Sequence, residues 1–133
     1  MALFEDVINR WVEEVEDDVK SILQTIVFRI GTAVVNLSPV DTGRFKGNWQ
    51  LTITNPATAS LIRYDQGGGI VLGDMQRVVR TLSPGQVAYI QNTVLYGYDL
   101  EYGASGQAPD GMVRITAARF AQIVNEAVRL HAN

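Results

Sequence analysis

The sequence predicts an α+β fold: a long N-terminal helix, a small antiparallel β-sheet with an intervening short helix, and a C-terminal helix packed on the sheet. Three observations indicate this fold class. Apolar residues recur at every third or fourth position over residues 3–37. Residues 49–54 alternate apolar and polar residues, as a half-buried strand does, and residues 86–92 form a second predicted strand. Residues 112–130 again show helical spacing. We expect a single domain over residues 1–133, with a helix at 1–37 and a sheet-and-helix body at 38–133.

The long helix is predicted by an unbroken apolar stripe, with a break near Gly31 as the alternative. The stripe consists of Phe4, Ile8, Trp11, Val15, Val19, Ile22, Ile26, Ile30, Ala33 and Leu37. It repeats every eleven residues, and a period of about 3.67 favours a nearly straight helix over a left-handed coil. A helix of about 30 residues is ~45 Å long, which exceeds the diameter of a compact domain of this size. We therefore expect the C-terminal half to be buried and the acidic N-terminal half to be partly solvated or packed on a neighbour.

The remaining elements follow in chain order. The Ser38-Pro39 pair ends the helix, because the residue before proline avoids the α region. The other expected elements are a strand at 49–54, a flexible connection at 57–70 with a short strand considered at 60–64, a short amphipathic helix at 70–82, a strand at 86–92, a short helix or irregular segment at 94–103, and a final helix at 112–130 that covers the sheet.

Composition excludes several classes of site. The chain has no cysteine and one histidine, His131, so a Cys/His zinc site, an iron–sulfur cluster, a cysteine nucleophile and a disulfide framework are excluded. His131 is expected to lie on the surface near the C-terminus. The absence of a membrane span or a signal-peptide pattern leads us to expect a soluble, unexported protein. A net charge of −3 argues against wrapping nucleic acid by bulk charge.

Three features suggest chemistry, but each has a plainer explanation. Residues 67–69 are three glycines without the Gly-Lys-Ser/Thr ending of a phosphate loop, so a flexible loop is favoured. The acids at 13–18 suggest a divalent cation, yet a solvated or partner-facing surface is favoured because such sites also use oxygens from turns. Asp99 and Glu101 suggest a glycosidase pair, but nothing supplies a cleft, and a polar face or a salt link is favoured. We expect no enzyme, no cofactor and no metal.

The segment at 41–49 is the most unusual part of the chain. It interleaves two bases, Arg44 and Lys46, with two aromatic residues, Phe45 and Trp49, in a loop that contains two glycines. Three interpretations stay open: contact with phosphates, a turn in which Trp49 anchors the strand, and a protein interface that uses arginine and tryptophan.

Several segments together resemble the small neck proteins of tailed bacteriophages. They are residues 38–50 (SPVDTGRFKGNWQ), 89–92 (YIQN), Tyr96, 100–105 (LEYGAS) and 107–114 (QAPDGMVR). These neck proteins are the tail-completion, tail-terminator and head–tail joining proteins, found also in prophages and phage-like particles. The order of helices, strands and loops is similar over nearly the whole chain.

The resemblance implies a structural virion protein without catalysis. It implies a ring, commonly a hexamer, at the top of the tail, assembled in the host cytoplasm, that terminates or completes the tail tube and joins it to the connector. The implied partners are further copies of the chain, head–tail connector or adaptor proteins and the major tail tube protein, with DNA only as passing cargo and no membrane. The alternatives are a head-completion adaptor of the same neck, or a small nucleic-acid-binding module that uses Arg44 and Lys46.

We expect the turn at 41–49 and the loop at 104–114 to contact other subunits or neck proteins, since binding residues tend to lie on loops. The candidate residues are Asp41, Arg44, Phe45, Lys46, Trp49, Glu101, Tyr102, Gln107, Met112 and Arg114. A closed ring needs two different complementary patches on each subunit. The acidic first half of the long helix and the more basic remainder are candidates for these patches.

Overall fold

A computed structural model describes residues 2–131, with side chains from residue 5 onward, so Phe4 of the predicted stripe lies outside the described side chains. The elements are α1 (Ala2–Leu37), a 3₁₀ turn (Lys46–Asn48), β1 (Trp49–Ile53), α2 (Gly69–Val79), β2 (Ala88–Asn92), α3 (Gly97–Glu101), α4 (Val113–Ala118) and α5 (Phe120–His131). The two strands pair antiparallel, with Trp49 opposite Asn92. The predicted α+β fold class is confirmed. Among the described residues, no helix is long and apolar enough to cross a membrane.

Helix α1 is one continuous helix of 36 residues, about 54 Å long. It runs through Gly31 without a break, so the two-helix alternative is wrong. A Cβ atom at Gly31 would lie 2.7 Å from Met75 Sδ, so this glycine lets α1 and α2 pack closely. Residues 5–19, which we call the N-terminal arm, are exposed throughout, whereas Val34 and Val35 are buried. The expected difference between the two halves is therefore confirmed.

The core lies between the C-terminal half of α1, α2 and the sheet. Its buried members are Val27, Val34, Val35, Phe45, Trp49, Leu51, Val71, Met75, Val79, Leu82, Val94, Ala108 and Met112. A buried hydrogen-bond chain joins the end of α1 to the start of β1. Trp49 Nε1 donates to Ser38 Oγ over 2.7 Å, and Ser38 Oγ donates to the Val34 carbonyl over 2.6 Å. The indole is thus fixed in the core with its polar nitrogen satisfied.

The connection before α2 differs from the prediction in two ways. Residues 60–64, all within the described chain, form no strand. The predicted connection also ends earlier than expected, because the last of the three glycines, Gly69, begins α2. The buried carboxylate of Asp65 organises this helix start, because it accepts hydrogen bonds from Gly68 N at 3.0 Å and Val71 N at 2.9 Å.

The single C-terminal helix predicted at 112–130 is two helices. The chain leaves helical geometry at Arg119. α4 lines a groove with α1 and the sheet, and α5 runs along α1. Arg29 and Glu126 form an ion pair at 2.9 Å between α1 and α5. His131 is half-buried and lies 2.9 Å from Thr25 Oγ1. The expectation of a surface histidine is therefore wrong, since the end of α5 is held against α1.

The turn before β1 packs directly on the backbone of residues 63–66. A Cβ atom at Gly47 would lie 2.5 Å from the Arg63 carbonyl oxygen, and one at Gly43 would lie 2.6 Å from Gln66 N. The buried Asn48 side chain joins the same two segments, since its Oδ1 accepts a hydrogen bond from Leu61 N at 2.6 Å. Residues 60–64 are thus held by the turn rather than by a sheet.

Replacing Gly47 by alanine is expected to destabilise the fold by more than about 2 kcal/mol, because a backbone carbonyl cannot move away as a side chain can. Gly73 is the matched control, since it lies within α2 and a Cβ there meets nothing within 4 Å. Gly73→Ala should stabilise the protein by about 0.5–1 kcal/mol through helix propensity. Urea unfolding of both variants measures the difference. Equal free energies of unfolding would contradict the close approach.

Candidate functional site

The turn at 38–49 and the segment at 96–114 lie side by side and form one surface, which we call the joined-loop surface. It surrounds a groove of about 410 Å³. The groove is lined by Pro39, Val40, Asp41, Thr42, Gly43, Arg44, Phe45, Tyr96, Leu100, Ser105 and Gln107. The sequence predicted two contact loops, and the structure places them together.

One side chain ties the two loops to each other. The amide of Gln107 accepts a hydrogen bond from Val40 N at 2.8 Å and donates one to the Val40 carbonyl at 3.0 Å. It therefore satisfies both backbone polar groups of one residue, as a neighbouring strand would. These two residues are 67 positions apart in sequence. The contact fixes the loop after α3 against the turn after α1.

A second side chain, Glu101, organises the far end of the surface. Its carboxylate accepts hydrogen bonds from the backbone nitrogens of Met112, Val113 and Arg114 at 2.8 to 3.0 Å. Arg114 Nε also donates to this carboxylate at 3.1 Å. Burial by itself raises the pKa of Glu101, but these hydrogen bonds outweigh burial and lower the pKa below its ordinary value. Glu101 thus stays charged and holds the first turn of α4.

Aromatic rings and a guanidinium cover the outside of this end. The Arg114 guanidinium carbon lies 4.5 Å from the centre of the Tyr102 ring, a cation–π arrangement. The Tyr98 ring centre lies 4.6 Å from that of Tyr102. All three side chains are exposed. Glu101 and Tyr102 together therefore hold Arg114 in one orientation at the surface.

Three of the predicted contact residues belong to the core instead of the surface. Phe45, Trp49 and Met112 are all buried. The Phe45 ring packs edge-on against Trp49 with 5.8 Å between ring centres, and lies 6.2 Å from Tyr96. Lys46 is half-buried, and its side chain lies over Gly68. These residues support the joined-loop surface from beneath.

The residues that a partner could touch are a smaller set. Asp41, Arg44, Tyr102, Gln107 and Arg114 are exposed. Within residues 5–131, the Arg44 side chain makes no hydrogen bond or ion pair, whereas its backbone is held by Thr42 Oγ1 at 3.3 Å and Asn48 Nδ2 at 2.6 Å. Arg44 is thus a cation on a fixed backbone with its donors available.

Sequence reasoning missed three polar residues that hold this surface from below. They are Asn48, Arg63 and Asp65. Arg63 donates to the carbonyls of Gly47 at 2.6 Å and Trp49 at 3.1 Å, and forms an ion pair with Asp74. Asp65 lies three residues before the N-cap residue Gly68, so it does not stand at the position where a capping signal is read from sequence. Nothing in the sequence indicates the distant partners of Arg63.

The other candidate sites do not assemble chemistry among the described residues. The carboxylate of Glu101 is taken up by the start of α4, so it is not free to pair with Asp99. In residues 2–131, no group of three or more His, Cys, Asp or Glu side chains is placed to hold a metal ion, and this includes the acids at 13–18. What the joined-loop surface offers is a fixed arrangement of cationic, amide and aromatic groups.

No protein-family model, curated protein or solved structure matches the chain. The joined-loop surface is therefore interpreted from its own geometry and from the resemblance of its motifs.

Replacing Glu101 by glutamine is expected to destabilise the protein by about 1–2 kcal/mol near neutral pH, as losing a helix cap does. Because the folded-state pKa of Glu101 is lowered, its contribution is fully present above the ordinary value of 4.5. It is lost as the pH falls through the lower folded-state pKa. The measurement is urea unfolding of both proteins against pH. A difference that stays constant down to about pH 3 would contradict the charged cap.

Replacing Gln107 by alanine is expected to release the loop at 104–111 from the turn at 38–45 without unfolding the core. The Val40 amide loses its acceptor, so its hydrogen exchange should accelerate by at least about tenfold. Gln122→Ala on α5 is the control, because Gln122 is exposed and bonds only to Glu126 of its own helix. Unchanged protection of Val40 in the Gln107 variant would show that the two loops are not tied by this side chain.

Proposed function

We propose that this chain is a structural virion protein that forms a ring at the neck of a tailed bacteriophage or phage-like particle. The ring terminates or completes the tail tube and joins it to the connector, leaving an axial channel for DNA. It acts through binding surfaces and performs no catalysis. Its location is the top of the tail, after assembly in the host cytoplasm.

The observation that carries this proposal is the convergence of the resembling motifs. The segments at 38–50 and 100–114 carry most of the resemblance to neck proteins. They form a single surface held together by Gln107 and Glu101. Two motifs that meet at one exposed surface are more readily explained by a shared binding role than by two unrelated turns.

The surface is preorganised, which favours a docking role. Its backbone is fixed from beneath by buried Trp49 and Asn48, and the exposed Arg114 side chain is held by Glu101 and Tyr102. Rigid contact groups lose little conformational entropy on binding. Arginine and aromatic side chains are also the residue types that contribute most at protein interfaces. We assign this surface to contacts with connector, adaptor or tube proteins.

A ring also needs contacts between copies, and the charge distribution favours them. Residues 1–20 contain seven acids and two bases, whereas residues 21–133 contain seven acids and nine bases. Opposite charge on two parts of one chain favours head-to-tail contacts, which close into a ring. The net charge of −3 per copy lets DNA pass without binding tightly to the ring.

Light scattering of the purified protein at several concentrations tests ring formation. We expect a species near six times 14.6 kDa, alone or after addition of tail tubes. The same measurement with double-stranded DNA tests the competing nucleic-acid module, which the free Arg44 side chain favours. A protein that stays monomeric with tubes but binds DNA with a steep salt dependence would overturn the ring and support that module.

Arg44→Ala is expected to block head–tail joining while leaving the fold intact, because Arg44 is exposed and only its backbone is used in the turn. Arg80→Ala is the matched control, since Arg80 is exposed at the end of α2 outside the joined-loop surface. Electron microscopy of particles assembled with each variant counts heads with and without tails. Normal joining with the Arg44 variant would remove this residue from the neck contact.

A further inference from the structure

The N-terminal arm carries an apolar face that nothing in the described chain covers. Its exposed large apolar residues are Val7, Ile8, Trp11, Val12, Val15 and Val19. Trp11 is 62 % exposed. They lie on one side of α1, because helical spacing places residues three and four apart above one another. We call this face the arm stripe. An amphipathic helix of this kind normally buries its apolar side.

Acidic residues line both edges of the arm stripe. At 100° per residue, Glu14 and Asp18 fall along one edge, and Glu5 and Glu16 along the other. Arg10, the one base of the arm, and Lys20 just after the arm lie toward the opposite side of the helix. Two arms packed stripe to stripe would therefore set acids against acids, which is unfavourable at such edge positions. The charge pattern favours a partner with basic edges.

The body of the same chain offers a groove of suitable chemistry. A groove of about 410 Å³ opens between α1, the sheet and α4. Its lining is apolar and includes Ile30, Val34, Ile90, Val113, Ala117 and Phe120. Val113 and Phe120 are about half exposed beside it. This volume lies in the range of roughly 300–1,000 Å³ in which proteins hold large apolar groups. We call it the α4 groove.

The sequence around the α4 groove is basic, whereas the edges of the arm stripe are acidic. Residues 111–125, which contain α4 and the first half of α5, include two arginines and no acid. Arg119 is exposed, lies next in sequence to the groove residue Phe120 and makes no ion pair within the described residues. Arg114, next to Val113, is already paired with Glu101, so Arg119 is the cation available to an arm. The acidic edges of an arm would thus meet positive charge there.

A chain cannot place its own arm in its own groove. Trp11 and Ile30 are both on the continuous helix α1, and 19 residues of helix separate them by about 28 Å. The occupant must therefore come from another molecule. A second copy of this chain supplies an apolar helix with acidic edges.

We propose that the arm stripe of one copy docks into the α4 groove of the next copy, with Trp11 and Val15 against the apolar lining. The inference rests on the ring function proposed above and names the contact between its subunits. Because the two patches differ and lie at opposite ends of α1, the contact is head-to-tail and repeats from copy to copy. Such a contact closes into a ring when the rotation between copies allows it.

Cross-linking between two single-cysteine variants tests the contact, because the natural sequence has no cysteine. Val15→Cys and Ala117→Cys both change exposed residues, so each variant should fold, which circular dichroism checks. The two proteins are mixed at high concentration and treated with a short bifunctional maleimide. We expect a product that joins one chain of each variant, formed in preference to either homodimer.

Each other outcome overturns the proposal in a distinct way. Preferential joining of two Val15→Cys chains would show that arms pair with each other. No cross-link either alone or with added tail tubes, together with unchanged tryptophan fluorescence at the highest concentration, would show that the arm serves a different protein. A ring-sized mass without the mixed cross-link would refute this contact and leave the proposed ring standing. Failure of the ring function itself is read separately, from a protein that stays monomeric with tail tubes but binds double-stranded DNA.

A charge placed on the arm stripe gives a second, independent measurement. Val15→Asp is expected to weaken self-association by at least about tenfold, since it removes apolar contact and places a carboxylate in the groove. Ile62→Asp is the matched control, because Ile62 is 98 % exposed and lies outside both patches. Light scattering against concentration measures both. Equal association of these two variants would overturn the docking of the arm stripe.

Discussion

The positions of the turn, strand β1 and helix α2 all depend on one contact. The backbone of the turn at 43–47 lies directly against the backbone of residues 63–66. Glycine at positions 43 and 47 is what permits it, since any side chain at either position would overlap the second segment. The contact places Arg63 beside Asp74 and places Asp65 at the start of α2. The turn, the first strand and the second helix are therefore positioned together. The outer side of the turn is then free to form a surface with the loop at 104–111.

The motifs that resemble neck proteins combine residues that build the fold with residues that lie on its surface. Phe45, Trp49 and Met112 fill the core, whereas Arg44 and Arg114 stand at the surface a few residues away. Strands and turns place neighbouring side chains on opposite sides, so one short segment can do both. A substitution in such a motif can abolish binding by either route. Only the exposed residues separate loss of contact from loss of folding.

The sequence predicts elements whose signals are local and misses contacts between distant segments. The apolar stripe of α1 repeats over three full eleven-residue periods, so the sequence predicts the length of this helix and its continuity. Gln107 and Val40 are 67 positions apart, and their hydrogen bonds produce no periodic pattern in the sequence from which they could be predicted. The break at Arg119 is hidden for a similar reason, because apolar spacing continues across it although α4 and α5 are separate helices. The sequence predicted both loops as contact segments, but it did not predict that they lie side by side in one surface.

The continuity of α1 links the core to the proposed assembly. The arm is exposed along its described residues 5–19, so its direction follows from the packing of the buried half of the same helix. That packing includes the close approach at Gly31 and Met75. If the arm stripe docks on a neighbour, the angle between successive copies is set partly by this buried contact. A change in the α1–α2 packing would then alter whether the ring closes, even though it touches neither the arm stripe nor the α4 groove.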